Sequence, residues 1–294
     1  MKIIVTGSLG HISKPLAEIL TGAGHDVTII SSDSGKVGAI EALGAKAAIG
    51  SVADLAFLTK TFTGADAVYT MVPPNFGATN YRQYINDIGK NYTAAIKASG
   101  VTRVVNLSSI GAHLENSTGP ITGLHDVELM LNTLDNVAVK HLRAGFFYVN
   151  FFANIDMIKH QGILGNNYSK EARLVMVHPR DIAEAAAQEL QGSFSGKSYR
   201  YVISDEQKIS TLVKTLGTAI GKPELPWVEF SDEDSLAGMT GAGLPPAIAS
   251  TFVEMGSAVR SGILWEDYDK NKPAALGRIK LDDFAKEFAA AYNS

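Results

Sequence analysis

The 294-residue chain is 46% hydrophobic and 19% charged, ordinary proportions for a soluble α/β protein with ample core. Its formal net charge of −4 gives no field that would draw nucleic acid or an anionic membrane, so neither is expected as a partner. With no cysteine, disulfides, thiolate metal sites and cysteine nucleophiles are all excluded.

In chain order, Lys2–Val5 reads as a strand, followed at once by Thr6-Gly7-Ser8-Leu9-Gly10-His11-Ile12-Ser13 and a helix that carries Pro15-Leu16-Ala17-Glu18-Ile19-Leu20. A β-branched run leading into a glycine turn and then a helix is how a dinucleotide-binding βαβ unit begins. Gly7 permits a tight turn, and Gly10 removes a Cβ so that backbone N–H groups can approach a pyrophosphate. The helix after Ser13 points its positive end at those phosphates. Serine stands where a third glycine is usual. The residues from Thr6 to Ile12 are therefore the expected phosphate loop, with His11 as part of its wall.

Further strands are predicted over Val27–Ile30, Ala45–Ile49, Ala67–Val72, Val101–Leu107 and Val137–Leu142, with helices over Val37–Leu43, Leu55–Phe62, Tyr81–Ser99 and Leu124–Leu134 between them. This alternation predicts a Rossmann-type, doubly wound parallel sheet over residues 1–150, with ligand sites beyond the carboxyl ends of the strands. After residue 150 the pattern is irregular. Phe151–His160, Ile182–Leu190 and Ile209–Ile220 read as helices, Leu174–Val177, Tyr199–Ile203 and Val228–Phe230 as strands, and the rest as mostly helical up to Phe288. Residues 151–294 are read as a smaller α/β lobe for substrate or partner, interleaved with the first domain, which also takes in parts of 174–203.

Cofactor choice rests on the second strand's tip, Ser31-Ser32-Asp33-Ser34-Gly35-Lys36. NAD-binding folds usually place an acid about 20 residues past the glycine loop, gripping both ribose hydroxyls. Here Ser32 and Lys36, with Lys14 in reserve, suit a 2′-phosphate, so NADP is expected and NAD is the alternative if Asp33 turns inward. Among other candidates, the histidines show no metal-ligand spacing and no metal is expected. Ser231-Asp232-Glu233-Asp234 reads as a capping turn. The run Phe146-Phe147-Tyr148-Phe151-Phe152 reads as junction core that supplies a pocket wall.

Val5-Thr6-Gly7-Ser8-Leu9-Gly10, Gly64-Ala65-Asp66-Ala67-Val68 before Pro73-Pro74, and Val104-Val105-Asn106-Leu107-Ser108-Ser109-Ile110-Gly111-Ala112 together resemble the NmrA-like branch of the atypical short-chain dehydrogenases/reductases. Leu142-Arg143-Ala144-Gly145-Phe146-Phe147, Val177-His178-Pro179-Arg180-Asp181-Ile182-Ala183 and Asp282–Phe288 extend the likeness through nearly the whole chain. The resemblance implies NADP(H) more often than NAD(H). Cofactor contacts are expected at Val72, Pro73, Gly145 and Phe146, and Ser108 and Ser109, at the carboxyl end of the fifth strand, are placed to border the nicotinamide, with strand-end hydrogen bonding as their alternative reading. It also implies one of two functions, reduction of quinones or other small electrophiles or redox sensing with little turnover. Three positions depart from the family pattern: Ser32 where arginine is frequent, Ser51 where an aspartate is common, and Ala144 for proline.

The usual Tyr-x-x-x-Lys pair is missing, for no tyrosine or lysine lies between Ser109 and Val137. Tyr268 and Lys272 match the spacing in the wrong context. His125, with Asp126 and Glu128 behind it, is the remaining candidate acid, and a helix-start residue bonded to backbone is its alternative reading. The expectation is therefore an NADPH-dependent reductase of a quinone or carbonyl compound. The rival is an NADP(H)-sensing regulator with a protein partner, and a nucleotide-sugar epimerase relative is disfavoured for want of the tyrosine–lysine pair. With a strand and glycine loop at the start and no stretch near the roughly 18 apolar residues of a membrane span, a cytoplasmic protein is expected.

Overall fold

The computed structural model describes all 294 residues. Its strands are β1 (Lys2–Val5), β2 (Asp26–Ser31), β3 (Lys46–Ile49), β4 (Ala67–Thr70), β5 (Arg103–Ser109), β6 (Ala138–Ala144), β7 (Phe146–Phe147), β8 (Leu164–Asn166), β9 (Arg173–Val177), β10 (Lys197–Val202), β11 (Asp205–Lys208) and β12 (Trp227–Glu229). The helices are α1 (Ser13–Gly22), α2 (Val37–Glu41), α3 (Leu55–Phe62), α4 (Tyr81–Ser99), α5 (Ile121–Asn132), α6 (Ile155–Gln161), α7 (Pro179–Gln191), α8 (Ile209–Ala219), α9 (Asp232–Gly241), α10 (Pro246–Ser261), α11 (Glu266–Lys270) and α12 (Leu281–Asn293).

Seven strands form one parallel sheet in the order β10-β6-β5-β4-β1-β2-β3. This is the Rossmann-like α/β fold. The chain runs outward from β1 to β3, then restarts on the other side of β1 at β4. The glycine loop after β1 thus lies at the point where strand order reverses, the place where such sheets bind ligands. Alternation sorts the side chains. Ile3, Val5, Tyr69 and Leu107 face α1 and α7, while Ile4, Val68, Val104 and Val139 face α3, α4 and α5.

Of the stretch 174–203, α7 and β10 join the large sheet, whereas β9 pairs with β11 and β7 in a second, three-stranded sheet. Ile110 and Ala112, from the segment between β5 and α5, and Ile121 at the start of α5 pack into the small lobe's core. That core carries an aromatic stack, Tyr148 on Phe284 at 5.1 Å and Phe152 on Phe288 at 6.2 Å.

Several elements depart from their expected bounds: α5 begins at Ile121, α2 ends at Glu41, and β7 and β8 are added strands. Three departures have a clear physical reason. The helix expected over Phe151–His160 starts at Ile155, and Tyr148–Asn154 is a 3-10 helix, whose period of three places Tyr148 and Phe151 together in the core. β4 stops at Thr70, because the Met71 N–H donates to Thr6 Oγ1 (2.9 Å) instead of to a neighbouring strand. β11, Asp-Glu-Gln-Lys, has no apolar signal and exists through its antiparallel pairing with β9.

Two buried polar sets stand out, one within the large sheet and one that joins α7 to the segment before α12. Thr70 Oγ1 donates to Asn106 Oδ1 (2.9 Å), Asn106 Nδ2 meets His141 Nδ1 (3.2 Å), and His141 Nε2 meets Asn132 Oδ1 (3.0 Å). Burial pulls the His141 imidazole down to about 4, so it stays neutral in this ladder. In the His178-Pro179-Arg180-Asp181 segment, His178 caps α7 by accepting from the Arg180 N–H (3.1 Å). The Asp181 carboxylate accepts from the N–H groups of Arg278 (3.1 Å) and Ile279 (3.2 Å). That motif is a staple for the segment leading into α12.

Candidate functional site

The loop after β1 is built around Gly7, whose φ of +94° suits glycine and whose missing Cβ makes room for the Ser13 hydroxyl. Ser13 is buried and donates to the Thr6 carbonyl (2.7 Å), so the serine in the third glycine's place ties the start of α1 back to β1. Ser8, also at positive φ (+55°), reaches the second strand through Ser8 N–H to the Ile30 carbonyl (3.1 Å) and Ser8 Oγ to Ser31 Oγ (2.9 Å). The N–H groups of Leu9, His11 and Ile12 have no partner in the chain, and the Gly10 Cα is exposed. The Ile12 side chain is buried in the core beneath, so only its backbone can face a ligand. Unpartnered N–H groups around an exposed glycine, at the amino end of a ten-residue helix, fit a pyrophosphate.

At the tip of β2, Asp33 turns its carboxylate onto its own turn, accepting from the Gly35 N–H (2.8 Å). Ser31 is buried and accepts from the Asp33 N–H (3.1 Å). Ser32 is exposed with a free hydroxyl, and the Lys36 ammonium, at the end of the short 3-10 turn, makes no ion pair. Lys14 lies 4.0 Å from Glu18, exposed on α1.

The segment after β4 is held from three sides. Thr6 Oγ1 receives the Met71 N–H, Tyr92 OH donates to the Met71 carbonyl (2.6 Å), and Tyr84 OH donates to the Pro73 carbonyl (2.9 Å). Val72 and Pro73 remain half-buried at the carboxyl edge. Beyond β5, Ser109 is half-buried with its hydroxyl on the Ile110 carbonyl (2.9 Å).

His125 stands in the second turn of α5, where Nδ1 donates to the Ala112 carbonyl (2.8 Å) and Nε2 has no partner in the chain. The carbonyl can only accept, which fixes the proton on Nδ1. Both readings of this residue are thus visible at once: a backbone-bonded ring, with one nitrogen still free. The acids behind it are engaged elsewhere. Asp126 accepts from Arg82 Nε (2.6 Å) and Nη2 (2.8 Å), which pins α5 to α4, and those hydrogen bonds hold its carboxyl below the usual range. Neighbouring His113 buries both ring nitrogens without a partner, and that burial lowers its pKa.

Ser108 and Gly145 do not open onto the edge. Ser108 is 3% exposed, and its hydroxyl donates to Glu128 Oε1 (2.6 Å). Gly145 is packed so closely on β9 that a Cβ would lie 2.7 Å from the Val175 carbonyl. Phe146 is half-buried, tilted against Phe151 at 5.4 Å.

Glu128 is the centre of a network the sequence reading missed. Arg143 grips it with two nitrogens, Nε to Oε1 (3.1 Å) and Nη2 to Oε2 (2.7 Å), and its Nη1 reaches Asp267 of α11 (3.2 Å), which also accepts from Tyr201 OH. The guanidinium lies 4.0 Å from the centre of the Tyr199 ring. The signal was present as two charges on faces meant for apolar residues: Glu128 one turn from Leu124 and Leu131 on α5, and Arg143 inside a buried strand. Tyr268 and Lys272, the out-of-context pair, both bond to Glu206, at 2.6 and 2.8 Å, and serve the packing of α11. No group of histidine and acidic side chains could hold a metal ion, and no helix is long and apolar enough to cross a membrane. Ser231 caps α9 as read, accepting from the Asp234 N–H (3.0 Å).

Residues 7–142 match the sequence model of the NAD(P)H-binding family. No curated protein matches the chain by sequence. Among solved structures, an NADPH-dependent quinone oxidoreductase from Escherichia coli, complexed with NADPH, is 21% identical and superposes with a TM-score of 0.82 over 97% of this chain and 99% of its own. The triphenylmethane reductase of a Citrobacter species, complexed with NADP(H), is 20% identical with a TM-score of 0.81, covering 98% of this chain and 100% of its own. A nucleoside-diphosphate-sugar epimerase from Staphylococcus aureus is 18% identical with a TM-score of 0.79 over 97% of this chain and 100% of its own. The NmrA-like resemblance read from the sequence is borne out in fold and extent. Residues 7–142 are thus similar to NAD(P)H-binding domains, and the chain as a whole shares the fold of these solved reductases and the epimerase.

Proposed function

We propose that the chain is an NADP(H)-dependent reductase of a small electrophile, a quinone or carbonyl compound. The observation that carries this reading is the cradle of unpartnered N–H groups around Gly10 at the sheet's reversal point, in a fold shared with an NADPH-bound quinone oxidoreductase. Thr6 to Ile12 hold the pyrophosphate through backbone. Ser32 and Lys36 receive the 2′-phosphate, since the Asp33 carboxylate turns onto the Gly35 N–H of its own turn. Val72, Pro73 and Phe146 border the nicotinamide half. Calorimetry is expected to show NADPH binding more tightly than NADH, and Lys36→Ala narrowing the gap. Tighter binding of NADH would reverse the assignment.

When bound, the reduced nicotinamide supplies a hydride, and the acceptor takes one further proton to become the hydroquinone or alcohol. The chain's own work is to orient the two partners, exclude water, and leave one imidazole nitrogen, His125 Nε2, free to take a proton from solvent and, as the imidazolium, pass it to the acceptor oxygen. A quinone suits this equipment better than a ketone. It accepts hydride readily and delocalises the resulting oxyanion, so a strong acid is less needed. His125→Ala is therefore expected to slow quinone reduction by no more than about 10²-fold, the low end for general acids, and ketone reduction by more. Steady-state assays of NADPH oxidation with both acceptors test this. Complete loss with quinones in a folded, NADPH-binding variant would refute the hydride-dominated mechanism.

The rival reading, an NADP(H) sensor acting through a protein partner, is favoured by one observation. Helix α5 carries no tyrosine–lysine pair, and both acids near His125 are held in structural contacts. Failure of the parent protein to oxidise NADPH with any acceptor would favour it.

A further inference from the structure

Phe76 stands on the loop between β4 and α4, just beyond the fixed Met71–Pro73 segment. Its ring stacks on Tyr81, centroids 6.4 Å and planes 24° apart, and meets Phe252 of α10 at 6.0 Å and 59°. Tyr81 stacks in turn on Tyr84 (6.3 Å, 22°), the tyrosine whose hydroxyl holds the Pro73 carbonyl. The loop is shaped by Asn75, whose Oδ1 accepts from the Gly77 N–H (3.1 Å) and whose carbonyl accepts from the Ala78 N–H (3.2 Å). Phe76 is nevertheless 51% exposed, although the ring it stacks on is buried.

The place of this ring gives it meaning. Strand order reverses between β1 and β4, so a dinucleotide held at the glycine loop extends its adenosine toward β2 and its nicotinamide toward β4 and β5. The loops after those two strands, 71–80 and 110–120, flank that half. Helix α10 closes on both. Its Thr251 carbonyl packs against Gly119, leaving no room for a Cβ there, and its Phe252 touches Phe76. Phe76 is thus braced from the large sheet's side by Tyr81 and from the small lobe by Phe252, with half of its surface bare toward solvent. A ring already immobilised loses little freedom when a flat molecule lies on it.

We propose that Phe76, braced by Tyr81 and Phe252, selects the acceptor by stacking a planar aromatic molecule at the mouth of the site. This rests on the reductase reading above and narrows its substrate class to flat, fused-ring acceptors over small non-aromatic carbonyl compounds. The probes are menadione, a two-ring quinone, and butane-2,3-dione, a small acceptor without a ring. Phe76→Leu keeps an apolar side chain of similar bulk and removes the aromatic face. It is expected to raise the KM for menadione about 3- to 10-fold, the range set by an aromatic pair, with kcat nearly unchanged and the KM for butanedione unaffected. Phe76→Trp is expected to retain the parent KM for menadione. Titration of menadione into the NADP+-saturated protein gives a readout without turnover, and Phe76→Leu should weaken that binding by the same factor. If the parent binds menadione through Phe76 yet oxidises no NADPH, the reductase reading fails and the stacking role stands. Equal effects of Phe76→Leu on both acceptors, unchanged menadione values, or a parent that neither binds nor reduces menadione would each overturn the proposal.

Discussion

A Gly10→Val variant is expected to fold like the parent and to show no measurable binding of NADPH. A Cβ at Gly10 meets only the Gly7 carbonyl, at 3.1 Å, and the backbone there is not in the left-handed region, so the chain itself can accept a small adjustment. The side chain would instead occupy the space in front of the Leu9, His11 and Ile12 N–H groups, where a pyrophosphate must approach backbone directly. Gly7 could not serve for this test. Its φ of +94° and the Ser13 hydroxyl against it mean that any side chain there disturbs the fold, at a cost on the order of 1–3 kcal/mol, and confuses binding with stability. Circular dichroism and calorimetric titration of Gly10→Val separate the two. Parent-like affinity in a folded variant would show that the phosphate loop lies elsewhere.

Glu128→Ala is expected to be the most destabilising change of a single buried charge, about 3–5 kcal/mol in urea unfolding. Glu128 is 5% and Arg143 7% exposed, and the substitution strands the guanidinium of Arg143 beside Ser108 with Asp267 as its one remaining acidic partner. Glu128→Gln keeps the shape and an acceptor for Ser108, so it should fall between parent and alanine variant. A loss below about 1 kcal/mol, the value of an exposed pair, would mean that water reaches the site and that the network does not bind the lobes together.

Much of the large sheet was legible in the sequence, since its strands are short β-branched runs between helices of clear periodicity. Leu55–Phe62 and Tyr81–Ser99 were read to the residue, each with an Asp or Asn cap before it. The glycine loop was legible for the same reason: its function is in backbone, and glycine announces backbone. What the sequence withheld was pairing at a distance. Ser108 read as a border of the nicotinamide because it ends a strand, but the partner that buries it, Glu128, lies on another element. Gly145 read as a cofactor contact, yet the carbonyl of Val175 on a strand far along the chain requires it. Ser13, standing where a third glycine is usual, proved to be a hydrogen-bonding tie whose acceptor, the Thr6 carbonyl, a sequence does not display. The small lobe was the least legible part, because apart from β9 its strands are polar or only two or three residues long and exist through their neighbours.

A crystal structure of the chain with NADPH tests the central claim most directly. The account predicts the pyrophosphate against the N–H groups of Leu9, His11 and Ile12, the 2′-phosphate beside Ser32 and Lys36, and the nicotinamide beyond the ends of β4 and β5, within reach of His125 and Phe76. A dinucleotide bound away from the Gly10 loop, or with its nicotinamide directed toward β2 and β3, would contradict it.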